Sequence, residues 1–358
     1  MKKFKIAIDV SPLNDGNSQR GVGYYTKNLV AALKKINHPQ FQIDLIESRS
    51  LKIENYDLIH YPFFDPFRLT LPSRKKTPII VTVHDLIPIQ FKSQFPVGLK
   101  GEIYWQIQKH KLSQVDHIIT VSEYSRQIIH QILHIPPQKV SVTLEAANSH
   151  YQPIIDQKKL LEIKNKYNLP PKFVLYVGDI NWNKNIPTLV KACLHQKIPL
   201  VIAGLAATKK VPNHPWTQDI LWLQKTAASL RAKRSNLLIL TGFIPDEDIS
   251  AVYSLATVYC QPSYAEGFGL PVLEAMQCGC PVVASQESSL AEISGLAALF
   301  FNPYSQDNLE DQLQKIFSSS QLQKKYVNIG LIQAKKFSWK KTAQNTLSIY
   351  KNVLNEKP

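Results

Sequence analysis

Residues 256–285 read "ATVYCQPSYAEGFGLPVLEAMQCGCPVVAS". An apolar run, "ATVYCQPS", has the length of a buried strand. A glycine loop, "YAEGFG", follows, and Pro271 suits the first turn of a helix that Gly279 would end. "PVVAS" then opens a second strand. A strand, a short helix and a strand in this order predict a parallel pair covered by its own crossover. The loop also sets a chemical puzzle. A glycine turn that enters a helix offers backbone N–H groups and the positive end of the helix dipole, which attract anions. Two acids, Glu266 and Glu274, flank that turn and would repel an anion. The conflict disappears for a ligand with phosphates for the N–H donors and hydroxyls for the carboxylates, which only accept when ionised. A nucleotide sugar is such a ligand.

The same alternation of short apolar runs and helical-period segments extends in both directions. In the first half "FKIAIDV" (4–10), "FQIDLIE" (41–47), "DLIHY" (57–61), "PIIVTVHD" (78–85), "HIITVS" (117–122) and "VSVTLEA" (140–146) are expected strands, with helices at 23–36 and 123–133 between them. After the proline-bearing break "YNLPPK" (167–172) the series restarts with "FVLYVGDI" (173–180), "PLVIAG" (199–204), "LLILTG" (237–242) and "ALFFNP" (298–303), with a helix at 246–256. The expected fold class is α/β: two Rossmann-like, doubly wound parallel-sheet domains facing across a cleft, with ligands beyond the carboxyl ends of the strands. Residues 1–168 form the expected N-terminal domain and 169–336 the expected second domain. The final amphipathic helix, 337–358, at its simplest caps the second domain. The favoured expectation has it packing back on the N-terminal domain.

Composition narrows the partners. The chain has 358 residues and a formal net charge of +15, which calls for anionic partners: nucleic acid, an anionic membrane surface or phosphorylated substrates. No zinc finger or RNA-recognition signature is visible, so no nucleic acid is expected. The basic clusters "SRKK" (73–76) and "KHK" (109–111) suit anionic lipid against the simpler reading of a solvated basic face. The start "MKKFKIAIDVSP" reads as a first strand because its apolar stretch is short and contains Asp9, and no run approaches the length that spans a bilayer. Cys193, Cys260, Cys278 and Cys280 lack metal-ligand spacing and are read as buried hydrophobes of a reducing compartment. The expected location is therefore the cytoplasm, with a peripheral place on the inner membrane face as the further option.

"EGFGLPVLEAM", with its two glutamates, resembles the signature of the retaining glycosyltransferases of family 4 (glycosyltransferase group 1), which have the GT-B fold. "GVGYYTKNLV", "VHDL", "ITVSEYS", "LYVGDINWNKN", "TGFIPDEDI" and "FSWKKTAQNTLSIY" agree in order and spacing, so the resemblance covers nearly the whole chain. It implies that Glu266 and the amides of Gly267, Phe268 and Gly269, with Leu270 after them, hold the donor sugar, and that Glu274 accepts from the ribose. It implies that the loop with Gly21 and Gly23 approaches the donor diphosphate and that Gly242, Phe243 and Ile244 seat the base. His84 would face the donor sugar; Asp85 beside it and His60 in "LIHYP", facing the acceptor, are weaker candidates. Lys184 would stabilise the leaving diphosphate, which gains charge as the glycosidic bond breaks. Family members carry Arg-Lys at this point, whereas Asn183 precedes Lys184 here. Asparagine offers a neutral amide in place of a bidentate cation, and Lys209 and Lys210 are possible substitutes.

The expected catalytic set is thus His84, Lys184 and Glu266, with no metal and no cofactor, since no D-x-D motif occupies the cleft segments. The expected reaction moves a hexosyl group, mannosyl or glucosyl, from a nucleoside diphosphate sugar to a hydroxyl of a glycan or lipid-linked acceptor in cell-surface polysaccharide synthesis, with retention. Two alternatives stay open: a nucleotide-sugar epimerase or phosphorylase-like enzyme of the same fold, and a catalytically silent glycan-binding protein. A dinucleotide dehydrogenase is disfavoured because G-x-G-x-x-G does not follow the first strand.

Overall fold

The computed structural model describes residues 3–14, 16, 18, 21–36, 38–47, 55–72 and 77–355, and the chain divides into two units. The "SRKK" cluster lies outside the described residues. Unit one holds residues 1–92, 96–146 and 337–358, and unit two holds 93–95 and 147–336. The expected boundary at 168/169 therefore moves to 146/147. The helix Gln157–Lys166 packs on the helix Asp246–Leu255, which draws that stretch into unit two.

Unit one is built on β1 (Phe4–Asp9), β2 (Phe41–Ile46), β3 (Leu58–Tyr61), β4 (Ile79–Thr82), β5 (His117–Thr120) and β6 (Val140–Val142). They form one parallel sheet in the order β2-β1-β3-β4-β5-β6. Both β3 and β4 are buried at all four positions, as strands covered on both faces must be. The covering helices start where the sequence supplies caps. Ser122 accepts from the Ser125 amide at 3.0 Å at the start of Glu123–Leu133, and His134 ends that helix in the left-handed region. The helix Gly21–Ile36 takes in both Gly21 and Gly23, so these glycines form a first helical turn and not the loop expected of them. The C-terminal helix Trp339–Asn355 packs along Gly21–Ile36 within this unit. Its buried stripe, Thr342, Thr346, Ile349, Tyr350 and Val353, follows the three-to-four-residue period of one helix face.

Unit two repeats the plan with β7 (Val174–Val177), β8 (Leu200–Ala203), β9 (Leu238–Gly242), β10 (Val258–Gln261), β11 (Val282–Ser285) and β12 (Ala298–Phe301). Its parallel sheet runs β12-β11-β10-β7-β8-β9. Chain order reverses between β7 and β10, and in such sheets the crevice beyond the carboxyl ends of the two diverging strands is where ligands bind. The loops after β7 and β10 are therefore the ones to inspect. All four cysteines are free and buried in this unit.

Candidate active site

After β7 the chain makes a tight turn, Trp182–Lys184, and Asn185 returns it in the left-handed conformation with φ 54°. The Asn185 amide pins this turn by donating to the carbonyls of Pro262 (3.1 Å) and Pro303 (2.9 Å). Asn183 does likewise: its side chain is buried and donates to the Ala265 carbonyl at 3.0 Å, while the Tyr264 amide donates back to the Asn183 carbonyl at 2.8 Å. The expectation that Asn183 presents a neutral amide to a phosphate is thereby corrected, since that amide joins the two loops. Aromatic stacking ties them again, with the Trp182 and Tyr264 rings 4.9 Å apart and Tyr304 stacked 5.0 Å beyond.

The clamped loops bring together two residues that the sequence had singled out separately. Lys184 Nζ donates to Glu266 Oε1 at 2.8 Å and to Oε2 at 2.7 Å. Glu266 also accepts from Gln261 Nε2 (2.7 Å) and Ser263 Oγ (2.6 Å). Ser288 and Ser289 hold its backbone: Ser288 Oγ accepts from the Glu266 amide, and Ser289 Oγ donates to the carbonyls of Glu266 and Phe268. The following Gly269 has φ 103°, and a Cβ there would lie 2.7 Å from a Leu290 methyl. Only glycine allows the chain to turn here into the helix Leu270–Gln277. Gly267 and Phe268 precede it in the same loop, and Leu270 and Pro271 open the helix.

Glu274 lies in that helix and is buried, accepting from Tyr253 Oη at 2.9 Å. Burial pushes its carboxyl up to about 7, against the hydrogen bonds from Tyr253 and Tyr151, and the charge of Asp246 adds to the rise. Two packed tyrosines lie between the two glutamates. Tyr253 packs on Tyr259 with ring centroids 5.7 Å apart, and the Tyr259 hydroxyl bonds Gln261, which donates to Glu266. Gln261, Ser263, Tyr253 and Tyr259 were not singled out from the sequence. The placement of Gln261 at the carboxyl end of β10 was the signal that could have found it.

The remaining unit-two candidates sit nearby in the fold. Gly242 ends β9 with φ 72° against Thr208, Phe243 is exposed and Ile244 is buried. Lys209 and Lys210 are exposed after the short helix Leu205–Thr208. Gly204 is crowded: a Cβ would stand 2.2 Å from the Gly178 carbonyl oxygen. Among the described residues no group of three or more His, Cys, Asp or Glu side chains has metal-binding geometry.

In unit one His84 follows β4. Its Nδ1 lies 3.1 Å from Glu145 Oε1 and its Nε2 lies 3.2 Å from the Pro62 carbonyl, with the Tyr25 ring edge-on at 4.7 Å. Asp85, next in the chain, accepts from the Ile87 amide at 3.0 Å. His60 does not face an open surface as expected. It is fully buried, with Nδ1 at 2.6 Å from Tyr350 Oη and Nε2 at 2.8 Å from Thr82 Oγ1. Tyr350 comes from the C-terminal helix, a cover that the local sequence "LIHYP" cannot reveal.

Residues 157–331 match the family model described as glycosyl transferases group 1, and residues 46–144 match that of glycosyltransferase family 4. The chain belongs to the group 1 glycosyltransferases, family 4. Among curated relatives of this glycosyltransferase, an O-antigen chain mannosyltransferase B from Escherichia coli is 29% identical over 340 residues, covering 89% of this chain and 84% of the relative. The serotype-specific mannosyltransferase WbdA of Escherichia coli is 28% identical over 77% of this chain, which spans about a third (33%) of that longer protein. A sucrose-phosphate synthase from Thermosynechococcus elongatus superposes with a TM-score of 0.76 at 19% identity, covering 99% of this chain and 100% of that one. That likeness supports the GT-B class of two Rossmann-like domains. The chain is therefore an enzyme of glycosyl transfer.

Proposed function

We propose that this glycosyltransferase transfers mannose, with retention and without a metal, from GDP-mannose to a hydroxyl of a growing polysaccharide or lipid-linked glycan. The observation that carries the reading is the Lys184–Glu266 pair at the point where the second sheet reverses its strand order. A cation and a carboxylate there match the two ends of the bond to be broken. The ammonium complements the diphosphate, which gains charge in the transition state, and the carboxylate accepts from sugar hydroxyls. Glu274 is assigned to the ribose hydroxyls, the loop of Gly267, Phe268, Gly269 and Leu270 to the sugar and phosphate oxygens, and Gly242, Phe243 and Ile244 to the base. Gly21 and Gly23 offer the amide groups of a first helical turn, which also suit phosphate. His84 is assigned to the sugar contact. The choice of mannose is supported by the activities named for the two Escherichia coli relatives and for an MMP alpha-(1->4)-mannosyltransferase from Mycolicibacterium hassiacum, 25% identical over 77% of this chain.

An anionic membrane surface belongs to the same proposal. The helix Gly98–Gln114 exposes Leu99, Ile103 and Ile107 at four-residue spacing, with Lys100 beside them, a pattern that suits an interface carrying a lipid-linked acceptor. Among the described residues no helix is long and apolar enough to cross a membrane.

The test is a matrix of GDP-mannose, UDP-glucose and UDP-galactose against mannose-containing acceptors, with and without EDTA, and with product anomers read by NMR. Transfer from GDP-mannose that gives the α-anomer and survives EDTA is expected. Transfer from UDP-glucose alone, or inversion, overturns the assignment.

A further inference from the structure

His84 is enclosed by groups that accept hydrogen bonds and do not donate them. Its Nδ1 faces the Glu145 carboxylate at 3.1 Å and its Nε2 faces the Pro62 carbonyl at 3.2 Å. A neutral imidazole has one N–H and one bare nitrogen, so it can satisfy only one of these partners. Both contacts are made together when the ring carries both protons. Glu145 is itself buried, and an ionised carboxylate there requires a cation.

We infer that Glu145 is a positioning residue that holds His84 as an imidazolium, so that His84 serves the transfer as a fixed cation and not as the base that removes the acceptor's proton. The inference rests on the assignment of His84 to the sugar contact.

The surroundings agree. Burial acts to lower the imidazole pKa, but the hydrogen bond and charge of Glu145, the Pro62 carbonyl and the charge of Asp85 outweigh it and raise the ring above its ordinary value. The other titratable neighbours carry no opposing charge. His60, on β3, is pushed down to about 3 by burial and by the charge of His84, so it stays neutral. Tyr25, on the helix Gly21–Ile36, is held as the neutral phenol by burial. The backbone next to Glu145 is held from the C-terminal helix, where Thr342 Oγ1 donates to the carbonyl of Leu144 at 2.6 Å. The His84 backbone is fixed as well, since Ser125 Oγ donates to its carbonyl at 2.9 Å.

The experiment follows the histidine ring signals of the full-length, isotope-labelled protein by NMR across pH, with His84 identified by the signal missing in His84→Gln. In the wild type, His84 is expected to be doubly protonated at pH 7 and to titrate above free imidazole. Glu145→Gln should move that titration down by about one pH unit or more and lower kcat about tenfold at pH 7.5, with the donor KM within about twofold. The basic limb of the kcat profile should move down with it, and Glu145→Asp should restore part of both. A merely structural Glu145 would change thermal stability and leave the limb in place. A wild-type His84 that is neutral at pH 7 overturns the inference without any variant, and an unmoved titration in folded Glu145→Gln does so too. Unchanged turnover in His84→Gln overturns the role of His84 in transfer, while the ring titration separately tests the hold of Glu145 on the proton.

Discussion

Lys184 and Glu266 stand 82 residues apart in the chain, yet the ammonium lies within 2.8 Å of both carboxylate oxygens. The carboxylate does not depend on that cation alone, because Gln261 and Ser263 donate to it as well. If a diphosphate draws Lys184 away, as the proposed function requires, Glu266 keeps two donors and is not left bare. The exchange of partners therefore avoids most of the penalty of an unpaired buried charge.

Lys184→Ala is expected to lower kcat by about 100-fold or more, because it removes charge where the leaving group develops it. The same change should cost on the order of 1–3 kcal/mol of stability, with the remaining donors limiting the loss. Steady-state kinetics at saturating donor alongside chemical denaturation separate the two effects. Normal turnover with lost stability would contradict the assignment.

Glu274 gives a pH signature. Its carboxyl titrates near 7 in the folded protein, above the ordinary 4.5, so the native state keeps a proton that the unfolded chain releases. Its contribution to stability is complete below about pH 4.5 and declines as pH rises through 7, by on the order of 3 kcal/mol in all. Glu274→Gln should therefore raise the melting temperature at pH 8 relative to wild type, and much less at pH 5. On the proposed assignment of Glu274 to the ribose, its hydroxyls favour the ionised form, so donor binding at pH 6 should release a proton, seen as a buffer-dependent enthalpy in calorimetry that vanishes in Glu274→Gln.

His60 works in the opposite direction. Burial and the charge of His84 hold it down to about 3, so its contribution to stability is present above the unfolded value near 6.5 and is lost as pH falls from there towards 3. Melting curves between pH 7 and 5 should show an acid-side loss that is smaller in His60→Gln. Tyr350→Phe should cost about 1–3 kcal/mol, since it removes a partner of a buried ring nitrogen.

Gly204→Ala tests the scaffold of the site. The added methyl would meet the Gly178 carbonyl at 2.2 Å, so the loops after β7 and β8 must part. A loss of about 1–3 kcal/mol is expected, with a weaker Lys184–Glu266 contact and reduced donor affinity. Urea denaturation and donor titration check both.

The twelve strands of the described residues were legible as short apolar or alternating runs, the central ones because buried parallel strands must be apolar on both faces. Strand order was not legible, and it is strand order that places β7 beside β10. The Glu266 and Glu274 frame could be read from its glycine loop and its resemblance to the family signature, yet the contacts of Tyr253, Tyr259 and Gln261 between them depend on side-chain directions that no sequence pattern specifies. Glu145 was passed over as one acid at the end of "VSVTLEA", since nothing local points from it to His84, 61 residues earlier. Asn183 was read by analogy with a phosphate-binding cation, and packing gave its amide to Ala265 instead.

The helix Trp339–Asn355 closes a unit whose sheet was begun more than 330 residues earlier. During synthesis the first sheet must wait, with His60 lacking its tyrosine lid, until the whole of unit two has left the ribosome. Anyone dissecting the enzyme meets the same order. A cut at 146/147 yields a half without its last helix, and an autonomous N-terminal fragment has to be made by joining residues 337–355 onto 1–146.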